Sequence, residues 1–302
     1  KYLLIKKYNI IGLDNLNNYY DKKIKIDRLN ILKKFKTFRF LKIDILNLNR
    51  LKNVFKKYKF EKIIHLAAQA GVRFSISNPD SYIQNNIQGF QNILELSRLY
   101  KIKHLVYASS SSVYGLNKKI PFSEKNSASH PISTYAASKR SNELMAHVYS
   151  NLYNLPTTGL RFFTVYGPFG RPDMSLFKFV NLSLKNKKID LFNKGNHTRD
   201  FTYIDDITEV IFRVMNKIPK LNIKGKVTEY RSIAPWRIYN VSSSKPSKLK
   251  KYINEIEKNL KKKFKFKNIY ESVSAYGVGK HRHLAEIDQE LSKASKKKVR
   301  VF

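Results

Sequence analysis

The segment KIIHLAAQAGVRFSISNPDSYIQNNIQGFQNILELSRLYKIKHLVYASS, residues 62–110, decides the fold class of this chain. Two short apolar runs, KIIHLAA and HLVYASS, flank SYIQNNIQGFQNILELSRLY, a stretch long enough for a helix. This order predicts a strand, a crossover helix and a second strand that runs parallel to the first. Strands that are apolar throughout are typical of sheets covered on both faces.

The same alternation continues on both sides of this segment. Further strands are predicted at NIIGLD (9–14), FRFLKID (38–44) and PTTGLRFF (156–163), and further helices at DRLNILKKF (27–35) and NRLKNVFKKY (49–58). Alternating strands and helices predict an α/β fold with a doubly wound parallel sheet. In such a fold ligands bind beyond the carboxyl ends of the strands.

The pattern loosens from about Arg171 onward. Short helices are predicted at 175–186 and 204–218, and short strands at KIDLF (188–192) and RIYNVS (237–242). We interpret this part as a smaller C-terminal lobe that binds the substrate.

The composition is that of a globular chain able to bury a large core. It has 302 residues, 42% of them hydrophobic, and no cysteine. No apolar run reaches the ~18 residues of a membrane span, and no signal peptide opens the sequence. We expect a cytoplasmic protein without disulfides, thiolate metal sites or membrane association.

The net charge of +37 is the most extreme feature of the composition. It could indicate a nucleic-acid partner. However, the lysines are spread along the chain together with many Asn and Ile residues, which fits a coding bias toward AT-rich codons, and no nucleic-acid motif is present. We therefore predict no specific nucleic-acid partner. His281 and His283 lack a convincing third ligand, so no metal site is predicted.

Small or polar residues follow each predicted strand where apolar residues would otherwise continue. Asp14 and Asn15 follow the first strand, where an acid can accept hydrogen bonds from ribose hydroxyls, and Asp44 follows the second. LAAQAG follows the third, where small residues let a flat cofactor approach the backbone. The run Ser109–Ser112 follows the fourth and Thr164 the fifth.

The segment STYAASKRSNE (133–143) carries a tyrosine and a lysine four residues apart. Good helix formers and a capping residue, Ser133 or Thr134, predict a helix here, which places Tyr135 and Lys139 on one face. A lysine beside a phenol favours the phenolate and so produces a general base. The spacing alone favours two surface residues at a common spacing, so the surroundings of the pair have to decide whether it is a catalytic pair.

These stretches resemble an extended short-chain dehydrogenase/reductase of the NAD-dependent epimerase/dehydratase family. The resemblance rests on LAAQAGVRFS, ASSSSVYG, the Tyr135/Lys139 pair, LRFFTVYGP and RDFTYIDD, and it covers about residues 1–268. GLDNLNNYYD, GRPDM and APWRIYN are most similar to the UDP-glucuronate 4-epimerases.

The resemblance implies roles in catalysis. Tyr135 would be the catalytic base, with Lys139 as its partner and a ligand of the nicotinamide ribose. Ser110, 25 positions before Tyr135, would hydrogen-bond the reacting hydroxyl. The implied reaction moves hydride from C4 of a UDP-sugar to NAD and back to the opposite face, through a 4-keto intermediate.

The resemblance also implies the binding residues. The NAD site would contain Asp14, Asn15, Asn18, Asp44, Ala67, Ala68, Asn86, Tyr135 and Lys139. The substrate site would contain Ser111, Ser112, Thr164, Arg171, Phe192 and Arg199. Arg199 corresponds to the arginine on the UDP diphosphate, and Arg171 suits a C6 carboxylate. Arg171 could instead cap a helix, and Phe192 could be ordinary packing.

The serine run distinguishes this chain from related enzymes. The 4,6-dehydratases carry Asp-Glu here and the UDP-glucuronate decarboxylases a glutamate, whereas this chain has Ser111-Ser112-Val113. The resemblance therefore favours an epimerase. The alternatives are a UDP-glucose or UDP-N-acetylglucosamine 4-epimerase, and an inactive truncated relative that only binds UDP-sugar.

Both ends depart from the family pattern. KYLLIKKYNIIGLD resembles the end of a first helix and a second strand, so we expect the first strand and the glycine-rich turn of a Rossmann unit to be missing, and NAD binding to be poor. We predict a truncated NAD-binding Rossmann domain at 1–170 and a UDP-sugar-binding lobe with an atypical tail at 171–302. A homodimer is expected from the resemblance.

Overall fold

The computed structural model describes residues 1–185, 187 and 198–264. The helices are α1 (Tyr2–Ile5), α2 (Lys22–Lys33), α3 (Leu48–Tyr58), α4 (Phe74–Ser77), α5 (Asp80–Tyr82), α6 (Gly89–Leu99), α7 (Thr134–Tyr153), α8 (Ser175–Leu184), α9 (Ile204–Asn216) and α10 (Leu249–Phe264). The strands are β1 (Ile10–Asp14), β2 (Phe38–Lys42), β3 (Lys62–His65), β4 (His104–Ser110), β5 (Thr157–Phe162), β6 (Thr164–Tyr166), β7 (Thr198–Tyr203), β8 (Trp236–Val241) and β9 (Pro246–Lys248). A π-helix (Ile83–Gln88) joins α5 to α6, and a 3₁₀-helix (Ser111–Tyr114) follows β4.

The chain divides into two compact units, and both are discontinuous in sequence. The first unit comprises Lys1–Phe162 and Glu209–Val241, and the second comprises the described residues of 163–208 and of 242–264. The sequence had predicted one boundary, after residue 170.

The first unit contains the predicted parallel strands. β3, β4, β5 and β8 form one sheet in that order, and every neighbouring pair is parallel. β1 and β2 form a separate parallel pair, so the described strands make two parallel sheets rather than one. The α/β fold class is confirmed, and the carboxyl ends of β1 and β2 lie side by side, as do those of β4 and β5.

The position of β8 differs from the prediction. Its segment, RIYNVS, was assigned to the C-terminal lobe, but Thr157↔Trp236 through Phe162↔Val241 pair along its whole length with β5. Trp236, Ile238 and Val241 are buried, so this strand completes the edge of the main core. The pairing with β5 and the burial of Trp236 and Ile238 in the core of the first unit therefore place the strand in that unit.

One apolar cluster forms the core of the first unit. β4 is buried on both faces from His104 to Tyr107, as expected for an inner parallel strand. On α3, Leu51, Val54 and Phe55 recur at helical spacing and join the same cluster, while Asn47 caps the helix by accepting a hydrogen bond from the Arg50 amide.

The second unit has its own sheet and core. β6 pairs in parallel with β7, which pairs antiparallel with β9. Leu176, Phe177 and Val180 of α8 pack with Tyr252 and other apolar residues of α10. The predicted strand KIDLF and the whole tail from residue 265 lie outside the described residues.

Candidate active site

The predicted Tyr135/Lys139 pair lies on the first two turns of α7. Ser133 is the N-cap, and its Oγ accepts a hydrogen bond of 3.1 Å from the Ala136 amide, which confirms the predicted helix start. The Tyr135 side chain is half-buried, and its ring meets that of Tyr82 edge to face, with 6.0 Å between centroids. Tyr82 is fully buried and donates its hydroxyl to the Ala70 carbonyl, so the ring of Tyr135 packs against a neighbour that is fixed in place.

Lys139 is buried, and its ammonium is tied to β4. The Nζ donates to the Ala108 carbonyl at 3.0 Å, while only 4% of the residue is exposed. Burial lowers the pKa of Lys139 to about 8. At pH 7 the ammonium is still mostly protonated and can stabilise a nearby phenolate.

His65, at the end of β3, is a neutral neighbour of this lysine. Burial, with a smaller effect from the charge of Lys139, lowers the pKa of His65 to about 3. Its ring packs against Phe90 with 5.3 Å between centroids. His65 is therefore neutral near pH 7 and adds no positive charge beside Lys139. The sequence pattern did not indicate this proximity.

Ser110 ends β4 and starts the 3₁₀-helix that contains Ser111 and Ser112. Its Oγ accepts a hydrogen bond of 3.2 Å from the Ser112 amide and one of 2.9 Å from the Ser112 hydroxyl. Since Lys139 holds the carbonyl two residues earlier, the serine predicted for catalysis and the predicted base are carried by elements in direct contact.

Three of the predicted NAD residues meet at the carboxyl ends of β1 and β2. The Asn15 side-chain amide donates to Asp44 Oδ2 at 2.8 Å, and Asp44 Oδ1 accepts from the Leu46 amide at 2.9 Å. Asp14 is exposed, and its Oδ1 accepts from the Leu16 amide at 2.7 Å. The structure thus brings an exposed carboxylate to the place where the sequence predicted a ribose contact.

The remaining predicted NAD residues lie in or beside loops of the first unit. Asn18 is exposed, and Ala67 and Ala68 follow β3. Asn86 is buried in the π-helix, where its Oδ1 accepts from the Gln69 amide at 2.8 Å. Both of its amide hydrogens are also used, toward the Gln69 carbonyl and Ser138 Oγ. Asn86 therefore shapes the loop after β3, and a direct contact with NAD stays a prediction.

Two predicted substrate residues share a small pocket in the second unit. Thr164, from β6, and Arg171 line it together with Tyr166, Met174 and Tyr252. Arg171 is paired bidentately with Asp173, through Nε to Oδ1 and Nη2 to Oδ2, both at 2.9 Å. The sequence reading missed this ion pair, although the two residues stand only two apart in GRPDM.

The other predicted substrate residues are not among those that line this pocket. Arg199 is exposed on β7, where its Nη1 donates to the Thr198 carbonyl at 2.9 Å. Phe192 lies outside the described residues. Ser111 and Ser112 lie in the first unit, directly after the strand end that carries Ser110.

Sequence reasoning also missed a buried carboxylate on α7, the helix that carries Tyr135 and Lys139. Glu143 is fully buried and bonded to Arg161 on β5. Its position four residues after Lys139, on the inward face of α7, was the available signal.

The described ranges contain neither a metal-binding cluster nor a helix that could span a membrane. Residues 1–185, 187 and 198–264 contain no group of three or more His, Cys, Asp or Glu side chains arranged to hold a metal ion. Within the same ranges, no helix combines the length and the apolar character that a membrane crossing requires. His281 and His283 lie outside these residues.

Comparison with known proteins places this geometry in context. The model of the NAD dependent epimerase/dehydratase family matches residues 1–226. A second model, of the semialdehyde dehydrogenase dimerisation domain, matches residues 257–302.

Similar proteins extend over most of the chain. Protein CapI of Staphylococcus aureus is 49% identical over 265 residues, which is 87% of this chain and 79% of the relative. A probable UDP-glucuronate 4-epimerase of Rhizobium meliloti is 43% identical over 85% of this chain and 77% of its own length. The UDP-glucuronic acid 4-epimerase of Bacillus cereus, solved with UDP-glucuronic acid and NAD, has a TM-score of 0.72 at 31% identity, covering 85% and 77% of the two chains.

Proposed function

The chain belongs to the NAD dependent epimerase/dehydratase family, and from this premise we propose that it inverts C4 of a UDP-hexuronic acid, converting UDP-glucuronate into UDP-galacturonate. The family and its cofactor, NAD, agree with the sequence analysis. The observation that carries the proposal is the placement of Tyr135 and Lys139 at the start of α7, with Lys139 bonded to the strand that ends in Ser110.

The residues of the first unit fit NAD. The exposed Asp14 carboxylate can accept hydrogen bonds from ribose hydroxyls, and the Asn15–Asp44 pair lies beside it. The Lys139 ammonium gives one hydrogen to the Ala108 carbonyl and can give another to the nicotinamide ribose. NAD, when bound, supplies the acceptor and donor of the C4 hydride.

The protein side chains move the proton. The Tyr135 oxygen takes the proton of the sugar 4-hydroxyl and returns it after the 4-keto sugar has turned over in the site. Lys139 stabilises the phenolate by its charge. Ser110 hydrogen-bonds the same sugar oxygen and is held in turn by Ser112.

The substrate assignment rests on the second unit and on the serine run. Arg171 and Thr164 line one pocket, and an arginine suits the C6 carboxylate of a hexuronic acid. The run Ser109–Ser112 contains no carboxylate, so it offers no acid or base for the elimination of water. Inversion at C4 is therefore the favoured outcome.

One observation favours a neutral sugar instead. Asp173 already neutralises Arg171 with two hydrogen bonds, so a substrate carboxylate has to share the guanidinium or displace Asp173. A UDP-glucose or UDP-N-acetylglucosamine 4-epimerase would not meet this competition.

A homodimer is the assembly we propose. Leu144, Val148 and Leu152 recur every four residues on α7 and are 54%, 48% and 62% exposed. Such an apolar stripe can pack against the same stripe of a second copy. The cytoplasmic location stays a prediction.

The test is turnover of UDP-glucuronate by the purified chain with NAD, followed by NMR as formation of UDP-galacturonate. Tyr135→Phe should lower kcat by about 100-fold or more, because only the proton-transferring oxygen is lost. Tyr153→Phe is the matched control, since this tyrosine lies on the same helix and is 49% exposed. Normal turnover by Tyr135→Phe would contradict the proposal, and so would the absence of turnover by the unaltered chain at an NAD concentration that saturates it.

A further inference from the structure

A fully buried ion pair joins the helix α7 to the strand β5. A hydrogen bond from Ser109 connects the pair to a third element, the strand β4, which ends in Ser110. The Glu143 carboxylate of α7 accepts from Arg161 Nε and Nη2 at 2.8 Å each, and both side chains are 0% exposed. It also accepts from Ser109 Oγ at 2.6 Å and from Arg140 Nη1 at 2.8 Å. Burial would raise the pKa of Glu143, but the bonds and charge of Arg161 outweigh it and lower the pKa, so the carboxylate stays ionised.

Stability alone does not account for such a pair. Removing two charges from water is costly, and well-packed apolar residues commonly replace a buried ion pair without loss of stability. A pair whose partners come from different elements does, however, fix the relative position of those elements. The elements that Glu143 connects therefore indicate which part of the molecule the ion pair positions.

The first contact is between α7 and the end of β4. Lys139 and Glu143, one helical turn apart, bind consecutive residues of the strand, the Ala108 carbonyl and the Ser109 hydroxyl. The next residue is Ser110. The strand end that presents Ser110 is thus held twice by the helix that presents Tyr135.

The second contact comes from β5. Arg161 is the register partner of Ser109 in the parallel β4–β5 pair, so the two side chains share one face and converge on Glu143. The Arg161 guanidinium also lies over the Tyr114 ring, 4.8 Å from its centroid. Tyr114 ends the 3₁₀-helix after Ser110 and donates its hydroxyl to Asn240 Oδ1 at 2.7 Å. The backbone is therefore anchored on both sides of Ser110.

We infer that Glu143 is a positioning residue for the reaction proposed above: with Arg161, it holds Ser110 at the correct distance from Tyr135. The inference rests on the proposed function for its catalytic meaning. It assigns to Glu143 no contact with substrate or cofactor.

The test compares Glu143→Gln with the double variant Glu143→Gln/Arg161→Met. The single variant leaves an uncompensated buried guanidinium, so we expect a lower melting temperature as well as a kcat lowered by about tenfold or more. The double variant removes both charges and should recover most of the melting temperature, while kcat stays low and KM changes little. Recovery of both the melting temperature and kcat would show that the pair is only structural and would overturn the inference.

Two serine variants separate position from packing. Ser109→Ala removes only the hydroxyl that bonds Glu143 and should lower kcat several-fold with little change in melting temperature. Ser150→Ala is the matched control, because Ser150 is a buried serine on α7, the helix of Glu143, but donates its hydroxyl to the Leu155 carbonyl and not to Glu143. It should leave kcat unchanged. Equal kcat values for the two variants would count against the inference.

Amide hydrogen exchange provides a readout that does not depend on turnover. In the double variant, the amides of residues 110–112 should exchange faster, whereas those of Leu105 and Val106 at the centre of β4 should not. If the unaltered chain proves inactive on UDP-hexuronates, the proposed function fails and exchange alone still decides whether Glu143 fixes the strand end. Unchanged exchange at residues 110–112 would overturn the inference.

Discussion

At the scale of single residues, Asp173 already holds the guanidinium of Arg171, so the proposed substrate would have to share it. Asp173 takes Nε and one hydrogen of Nη2, which leaves the Nη1 side of the guanidinium for a second carboxylate. Asp173 then determines the direction in which that side faces. A carboxylate bound there gains charge-assisted hydrogen bonds that a neutral sugar cannot make.

We predict that Arg171→Ala lowers kcat/KM for UDP-glucuronate by about 10- to 100-fold, the equivalent of about 1.5–3 kcal/mol for hydrogen bonds to a charged group. The loss for UDP-glucose should be far smaller, because only UDP-glucuronate presents a carboxylate. Arg213→Ala serves as the control, since Arg213 is an exposed arginine that pairs only with Glu209 among the described contacts. Equal losses on both substrates would mean that Arg171 has a structural role or contacts a group common to the two.

His104 provides a prediction about pH. Its Nδ1–H donates to the Met215 carbonyl at 3.2 Å, its Nε2 accepts from the Thr158 hydroxyl at 2.9 Å, and burial lowers its pKa to about 4. Because the folded-state pKa is below the unfolded value of about 6.5, the stabilisation is complete above pH 6.5 and is lost as the pH falls toward 4. Over that interval His104 should account for about 3 kcal/mol of the free energy of unfolding.

The measurement is the free energy of unfolding from pH 7 to pH 4 for the unaltered chain and for His104→Gln. Glutamine keeps a donor and an acceptor but does not ionise, so its curve should fall less steeply between pH 6.5 and 4. Parallel curves for the two proteins would show that His104 does not contribute to the acid sensitivity.

Residue positions were predicted from the sequence only where the pattern was local. The Tyr135/Lys139 pair and its Ser133 cap were predicted because a helix places residues four apart on one face. The partners of Asn86 lie 17 and 52 positions away in sequence. Arg161, the partner of Glu143, lies 18 positions away. Such contacts depend on strand register, which no local pattern contains.

At the scale of the elements, the two parallel sheets of the first unit differ in support. β4 is paired on both sides, by β3 and β5, and several of its residues are fully buried. In the described part of the chain, β1 and β2 pair only with each other. Two-stranded sheets are marginal in water unless other elements cover them.

We therefore predict that the amides of β1 and β2 exchange with solvent before those of β4. The reason is that a two-stranded pair opens without breaking a second ladder, whereas β4 opens only when two ladders break. Exchange monitored by NMR or mass spectrometry on the folded chain measures this order, with β5, also paired on both sides, as the internal reference. Equal protection of Ile11 and Val106 would contradict the prediction.

The elements were predicted better than their grouping. Each of the five strands of the alternating pattern is present and parallel, because continuous apolar runs between helices leave few other arrangements. β8 was misassigned because it follows a loosely patterned segment, and its pairing with β5 depends on the fold of everything before it.

At the scale of the whole molecule, the charge is the dominant property. With 59 Lys and Arg residues against 22 Asp and Glu, the protein attracts anions of every kind. The outward faces of two helices of the first unit, α2 and α3, are rich in lysine. The positive charge is spread over the surface and is not concentrated on one element that could bind a groove of DNA.

We predict that the protein binds duplex DNA without sequence preference, and that the affinity falls by about 10³-fold or more between about 50 and 200 mM salt. Diffuse positive charge binds DNA by releasing the counterions of the phosphates, so added salt weakens the binding. Titration of two unrelated duplexes at both salt concentrations by fluorescence anisotropy measures this. A preference for one duplex that persists at about 200 mM salt would show a specific nucleic-acid site.

The interleaved order of the two units has a consequence for protein synthesis. β5 leaves the ribosome long before β8, its partner, because Phe163–Thr208 of the other unit is made in between. Until residues 236–241 emerge, the nascent chain carries a parallel strand with one open edge that is buried in the finished protein, and such an edge can pair wrongly with another chain. The core of the second unit is completed later still, because it includes residues of α10. A ribosome that stalls anywhere between these points holds an unfinished protein with two incomplete cores, so the speed of translation through residues 163–241 should govern how much of this protein a cell obtains in folded form.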